Sequence, residues 1–374
     1  MSKTGSRARN KRYRSFCGLH FWTWTRALIP VTLSLLVLLV LLLNRASPTD
    51  SPDKLPTAIE SGLPTLLPSH SAQGVIKFWQ DVDSAGAPIV FTGSSQMQAA
   101  AVPDQFDREV VALSGVPVTS VNLSVVGAGT VVSGAVIQGL LLPRRVPLIL
   151  YGVEMRALRP QSLDLQRFDR DFAASPLGHA LLNKNPIERQ SVLWLLEHAD
   201  IFHRAPVLSD RTPYSLVDAS GHWILDGVQN RETQNFREQF VPFEPTTAVI
   251  EALRDTLAAC QHSATRCILV NMPLHPGAYQ VIPVQDEAAY RGLLAGVAGI
   301  TGITIWDINT PACRAYLGED SFFDLGHLNV LGAERFTTIL AQLYSRRIAQ
   351  RASWYLWVDS AADCAQISPS PVAR

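Results

Sequence analysis

Two short stretches, more than two hundred residues apart, carry the side chains best suited to chemistry. The first runs from Pro88 to Gln98 and reads Pro-Ile-Val-Phe-Thr-Gly-Ser-Ser-Gln-Met-Gln. An uncharged β-branched and aromatic run ends there at Gly93, Ser94 and Ser95, the pattern of a buried strand stopping at a sharp turn. A serine at that point is either a nucleophile or the N-cap of the next helix. The second stretch, Phe322 to Gly332, reads Phe-Phe-Asp-Leu-Gly-His-Leu-Asn-Val-Leu-Gly. Asp324 and His327 are three residues apart, so on a turn the carboxylate reaches Nδ1 of the imidazole and leaves Nε2 open. A serine beside that Nε2 is deprotonated as it attacks a carbonyl, while the aspartate fixes the tautomer and stabilises the imidazolium. The plainer alternative is a helix cap and a surface histidine; a strand-end serine elsewhere in the chain tilts the reading towards chemistry.

Such a site needs a scaffold that ends strands at one edge. After the strand at 88–93, the apolar segment Thr119–Val126 runs into Gly127-Ala128-Gly129, and small apolar residues over Thr130–Leu142 predict a buried helix. Val146–Val153 predicts a third strand. The rhythm resumes with a helix at Thr246–Cys260, a strand at Arg266–Met272, a helix at Asp286–Val297, a strand at Thr301–Ile308 and a helix at Gly332–Arg347. Nearly continuous apolar strands separated by helices predict a parallel sheet covered on both faces, a three-layer α/β/α sandwich. Residues from about 155 to 245 mix charged and aromatic side chains and read as a mostly helical insertion, either a lid or partner surface or a solvated decoration with no direct role. Trp354, Tyr355 and Trp357 are expected to pack back on the domain, within a C-terminal tail over 351–374.

The N-terminal segment has a different character. Its first 26 residues hold seven basic and no acidic side chains; with a formal net charge of zero overall, the remainder carries −7. A mildly acidic main body argues against nucleic acid as a partner. Ala27–Asn44 is 18 uncharged residues rich in Leu and Val, about one hydrocarbon core at ~1.5 Å per residue. Phe21, Trp22 and Trp24 form an aromatic flank, and the basic side should stay cytoplasmic. The expectation is a cytoplasmic basic tail (1–26), one transmembrane helix (27–44) joining the protein to the membrane, a linker (45–74) and an extracytoplasmic domain (75–350). A cleaved signal peptide is the competing reading.

Four cysteines fall outside that anchor. Cys260 and Cys267 close a small loop, so of the three connectivities the preferred one joins them and pairs Cys313 with Cys364; free buried thiols are the alternative. No zinc spacing or phosphate-binding loop occurs, and Gly127-Ala128-Gly129 lacks the third glycine and the acidic residue of a dinucleotide site. No cofactor is expected.

Gly93-Ser94-Ser95, Gly127 after a second strand, and Asp324-Leu325-Gly326-His327 near the C-terminus together resemble the SGNH/GDSL hydrolase superfamily, whose first block reads Gly-Asp-Ser and whose last reads Asp-x-x-His. The resemblance implies a flavodoxin-like sheet, Ser95 as nucleophile, His327 as base, Asp324 as its orienter, and the N–H groups of Ser95 and Gly127 as oxyanion donors. The nearest likeness is to membrane-anchored SGNH-like proteins that handle acyl groups on cell-envelope polysaccharides. An acyl donor, a carbohydrate acceptor and partner membrane proteins are the implied partners. One block departs: where the family has Gly-x-Asn-Asp, this chain has Gly152-Val153-Glu154-Met155. Glu154 replaces an oxyanion donor with a carboxylate, which could instead bind a sugar or a partner. Asn122 is a candidate substitute donor, or a structural amide. His275, at another strand end, is a candidate to line the cleft or serve as base, or a turn histidine between prolines; Asn271 and Asn329 are lesser candidates for support.

The expected reaction is acyl transfer through acyl-Ser95, to water or to a glycan hydroxyl. The alternative is a non-catalytic carbohydrate-binding or scaffolding member of a polysaccharide modification or export complex, which Glu154 favours and the serine, aspartate and histidine oppose.

Overall fold

The strands are uncharged because both of their faces are covered. In the computed structural model, which describes residues 88–159, 181, 215–218, 220–228, 233–346, 357–358 and 364, β1 (Ile89–Thr92), β2 (Ser120–Asn122), β3 (Leu148–Val153), β6 (Arg266–Asn271), β7 (Thr304–Asp307) and β8 (Trp357–Val358) form one sheet in the order β2-β1-β3-β6-β7-β8. Every pairing in it is parallel. The basic tail, anchor and linker expected over 1–74 lie outside the described residues, as do most of the insertion and of the C-terminal tail. Among the described residues no helix is long and apolar enough to cross a membrane.

Side chains alternate across the sheet, as a strand requires. Val90, Ile149, Tyr151, Leu269 and Ile305 face α3 (Thr130–Val136, extended by a wider π turn over Ile137–Leu141), α5 (Thr247–Gln261) and α6 (Val284–Thr301). Phe91, Leu150, Ile268, Val270 and Trp306 face α2 (Pro103–Ser114) and α8 (Val330–Tyr344). The predicted three-layer arrangement is therefore observed. Phe106 of α2 meets Phe91 edge-on at 5.1 Å between centroids, and truncating such a buried ring costs about 3–5 kcal/mol.

The chain leaves β1 through α1 (Ser95–Ala100) and α2 to reach β2 on one side, then returns to β3 on the other. The carboxyl end of β1 is thus the point where the strand order reverses, the crevice in which open α/β sheets place ligands. Both expected disulfides are present: Cys260–Cys267 ties the end of α5 to β6, and Cys313 of α7 (Pro311–Leu317) joins Cys364.

The insertion needs correction. Its described part is not all helical: Ser215–Val217 (β4) and Trp223–Leu225 (β5) form an antiparallel hairpin, followed by α4 (Thr233–Phe240). Asp218 makes the reversal, its Oδ1 accepting from the N–H groups of Ser220 and His222 and from the Ser220 hydroxyl, an Asx-type turn between two short apolar runs. The turn docks on the main sheet through Asn122 N–H to Ser220 O (3.0 Å).

Candidate active site

Gly93 takes φ +147, and a Cβ there would stand 2.6 Å from the carbonyl oxygen of Gly152 in β3. Only glycine serves both the turn and the close approach. Immediately afterwards the two serines divide the work. Ser94 is the N-cap of α1, its Oγ accepting from Gln96 N–H at 3.2 Å. Ser95, 3% exposed, places its Oγ 2.8 Å from His327 Nε2. Ser94 is therefore the cap, and Ser95 is the serine that stands beside the imidazole.

His327 comes from a tight loop ahead of α8. Asp324 Oδ1 accepts from the backbone N–H groups of Gly326 (2.7 Å) and His327 (2.6 Å), while Oδ2 lies 2.8 Å from His327 Nδ1. A carboxylate only accepts, so Nδ1 carries the proton, and Nε2 is left to accept from the Ser95 hydroxyl. Burial raises the Asp324 carboxyl, but the neighbouring imidazole and the hydrogen bonds from the ring and the two backbone N–H groups outweigh it and hold the carboxyl well below the usual carboxylate range. The loop is braced from outside by Phe323 N–H to His327 O (2.9 Å) and by His275 N–H to Leu325 O (3.1 Å). Asn329 caps α8, accepting from Gly332 N–H at 3.0 Å.

Beside this triad stand backbone donors. As the first residue of α1, Ser95 has an N–H with no intrahelical acceptor. Gly127 takes φ 73 in a turn closed by Ala128 N–H to Val125 O, and its N–H has no acceptor among the described residues. Val125 N–H donates to Gly93 O at 2.9 Å, which ties this turn to the one that presents Ser95.

Three expected site residues do other work. Asn122 is a structural amide: Nδ2 donates to the carbonyls of Met97, Gln98 and Ala101, and Oδ1 accepts from Ser124 N–H. Its donors are spent on carbonyls at the end of α1, of which Met97 O also accepts from Ala101 N–H, so they are not available to an oxyanion. His275 accepts from Gly277 N–H on Nδ1 (2.9 Å) as it caps a short 3-10 turn, and packs edge-on against Phe322; it braces the His327 loop and is not the base. Glu154, 1% exposed, caps and pairs locally: Oε2 accepts from Ala157 N–H (3.2 Å), capping a 3-10 turn over Met155–Leu158, and Oε1 lies 3.6 Å from Arg156 Nε. Asn271 belongs to a separate network with Asp307 and Tyr290.

The residues missed from sequence come from the insertion and its rim. Arg156 Nη2 lies 3.5 Å from Ser95 Oγ, and Nη1 donates to Gln239 Oε1 of α4 at 3.2 Å. Trp223 of β5 meets the His327 ring edge-on at 5.6 Å and packs with Ala99, Leu225 and Phe323. Only the place of Arg156, three residues past the end of β3, could have marked it. Among the described residues no group of His, Cys, Asp and Glu side chains could hold a metal ion.

No protein-family model matches this sequence, and no curated protein matches it. Among solved structures, the crystal structure of a lipase/acylhydrolase from Enterococcus faecalis is similar over 71% of this chain and 97% of its own, at 14% identity and a TM-score of 0.36.

Proposed function

We propose that this chain is a serine-dependent acyl-transfer enzyme of SGNH type, an esterase or O-acyltransferase, held to the membrane by residues 27–44 with its catalytic domain outside the cytoplasm. The observation that carries the reading is the unbroken chain from Asp324 Oδ2 to His327 Nδ1 and from Nε2 to Ser95 Oγ, each link 2.8 Å. Ser95 Oγ attacks the acyl carbonyl as its proton passes to Nε2, and the carbonyl electron pair moves onto oxygen, where the N–H groups of Ser95 and Gly127 receive it. Collapse of the adduct expels the alcohol, which takes the proton from His327. Water or a sugar hydroxyl then attacks acyl-Ser95 by the reverse path.

Two disulfides favour an oxidising compartment. Together with the anchor, this supports an envelope or exported polysaccharide as the molecule whose acyl groups are handled. Fluorophosphonate labelling of the full-length chain tests the chemistry. The expected result is one adduct, on Ser95 and not Ser94, absent from Ser95→Ala; labelling of Ser95→Ala at the wild-type rate rejects the reading. A mature N-terminus near residue 46 would replace the anchored protein with a secreted one.

A further inference from the structure

We propose that Arg156 is a third donor to the oxyanion, a fixed cation that strengthens its hold as negative charge develops; this rests on the acyl-Ser95 reading above. The guanidinium is held by one hydrogen bond and one ion pair besides its contact with Ser95. Gln239 of α4 takes Nη1 at 3.2 Å, and Glu154 Oε1 faces Nε at 3.6 Å while its other oxygen is held by Ala157 N–H. The side left over is Nη2, which points at Ser95 Oγ from 3.5 Å. Arg156 is only 12% exposed, so water screens this charge poorly and the planar fork has little freedom to swing away.

In the resting site the contact is long. When Ser95 Oγ bonds to the acyl carbon and its proton moves to His327 Nε2, the carbonyl π electrons become a lone pair on an oxygen one carbon away from Oγ. A donor already within reach of Oγ is then within reach of that alkoxide, and the interaction grows from a weak hydrogen bond to a charge-assisted one. Collapse returns the electron pair to the carbonyl, the leaving alcohol takes the proton from His327, and Arg156 neither gains nor loses a proton. Glu154 thereby has a role that a carboxylate beside an oxyanion would otherwise lack: it holds the cation, and the pair is neutral before the reaction begins. The insertion has one as well, because α4 supplies Gln239 and also receives Arg159 Nη1 at the Glu238 carbonyl (2.8 Å).

The test uses full-length protein and p-nitrophenyl acetate, a small neutral ester with no carboxylate for an arginine to bind. Arg156→Gln is expected to lower kcat about 10²–10³-fold with KM changed by less than about threefold. Arg156→Lys, which keeps the charge and loses the fork, should fall between that variant and wild type. Millimolar guanidinium should restore about tenfold of the activity of Arg156→Ala and nothing of Ser95→Ala. The inference is overturned if Ser95→Ala and His327→Ala abolish turnover while Arg156→Gln keeps kcat within threefold, or if the Lys and Gln variants are equally active. A loss confined to KM overturns it too, and assigns Arg156 to substrate binding. Turnover that survives Ser95→Ala instead removes the acyl-enzyme reading on which the inference stands. Should Arg156→Ala not fold, the Lys and Gln variants decide the matter alone.

Discussion

The carboxyl edge of the sheet holds two polar clusters, and they differ in what is left unsatisfied. At the end of β1, Ser95, His327 and Asp324 are each held from one side, and the Ser95 and Gly127 N–H groups have no acceptor among the described residues. At the ends of β6 and β7 the groups are spent on one another. Asp307 accepts from Asn271 (2.7 Å) and Arg291 (2.6 Å), Tyr290 donates to Asn271 (2.8 Å) and Tyr279 to Asn309 (2.7 Å), and Arg291 and Arg314 both donate to the Asn309 carbonyl. Burial pushes the Tyr279 hydroxyl up to about 12, which keeps it a neutral donor. Both clusters are polar and partly buried; only the first keeps backbone donors without an acceptor among the described residues. Polarity at a strand edge therefore does not identify a site, whereas unspent hydrogen-bonding capacity around a nucleophile does.

The comparison breaks most visibly through activity. Ser95→Ala or His327→Ala should reduce ester turnover by about 10⁴–10⁶-fold and leave the melting temperature within a few degrees of wild type. Asp324→Asn should cost about 10³–10⁴-fold in kcat, because the amide no longer fixes the tautomer. Asp307→Ala should do the opposite: turnover per folded molecule stays near wild type, while denaturant titration records a loss of about 2 kcal/mol, because Asn271 loses its acceptor and Arg291 keeps only Glu287 and the Asn309 carbonyl. Asn122→Ala should lower stability by about 1–3 kcal/mol through the carbonyls of α1 that it deserts.

The smallest effect sharpens the assignment of Asp324. Its carboxyl is held below the usual range when folded, so the stabilisation it contributes is complete above the unfolded value of about 3.9 and fades as pH falls towards the folded value. Melting temperatures of wild type should drop on acidification in that window, and those of Asp324→Asn should drop less. Equal slopes would mean that the carboxylate is not held as the geometry requires.

Five of the six strands of the sheet are legible in the sequence because buried strands are unmistakably apolar, whereas β8 (Trp357–Val358), two residues long, falls in the expected tail; Asp324 and His327 are legible as a pair because they need only a local turn to meet. The two disulfides were legible for a similar reason: Cys260 and Cys267 lie seven residues apart and their pairing leaves one partner for Cys313. The helix α2 is hard to see in the sequence, since Asp104, Arg108 and Glu109 dilute its apolar face. The hairpin was read as helix because three-residue strands carry almost no period. For Asn122 and His275 the structural alternative is the one observed; the Asn122 amide reaches carbonyls 21 to 25 residues away that only the fold brings near, while His275 caps a turn two residues on. Arg156 was invisible because its partners, Ser95 and Gln239, lie 61 and 83 residues away.

The contact between Gly93 and Gly152 sets what can vary here. Two backbones touch with no side chain between them, and Met97 fills the space over Gly152, so the place of the nucleophile cannot be adjusted by exchanging one side chain for another. A change of substrate has to come from the rim, through the hairpin that carries Trp223 or the turn that carries Arg156. Ser95 is the immovable part of this site, and its surroundings are the part open to change.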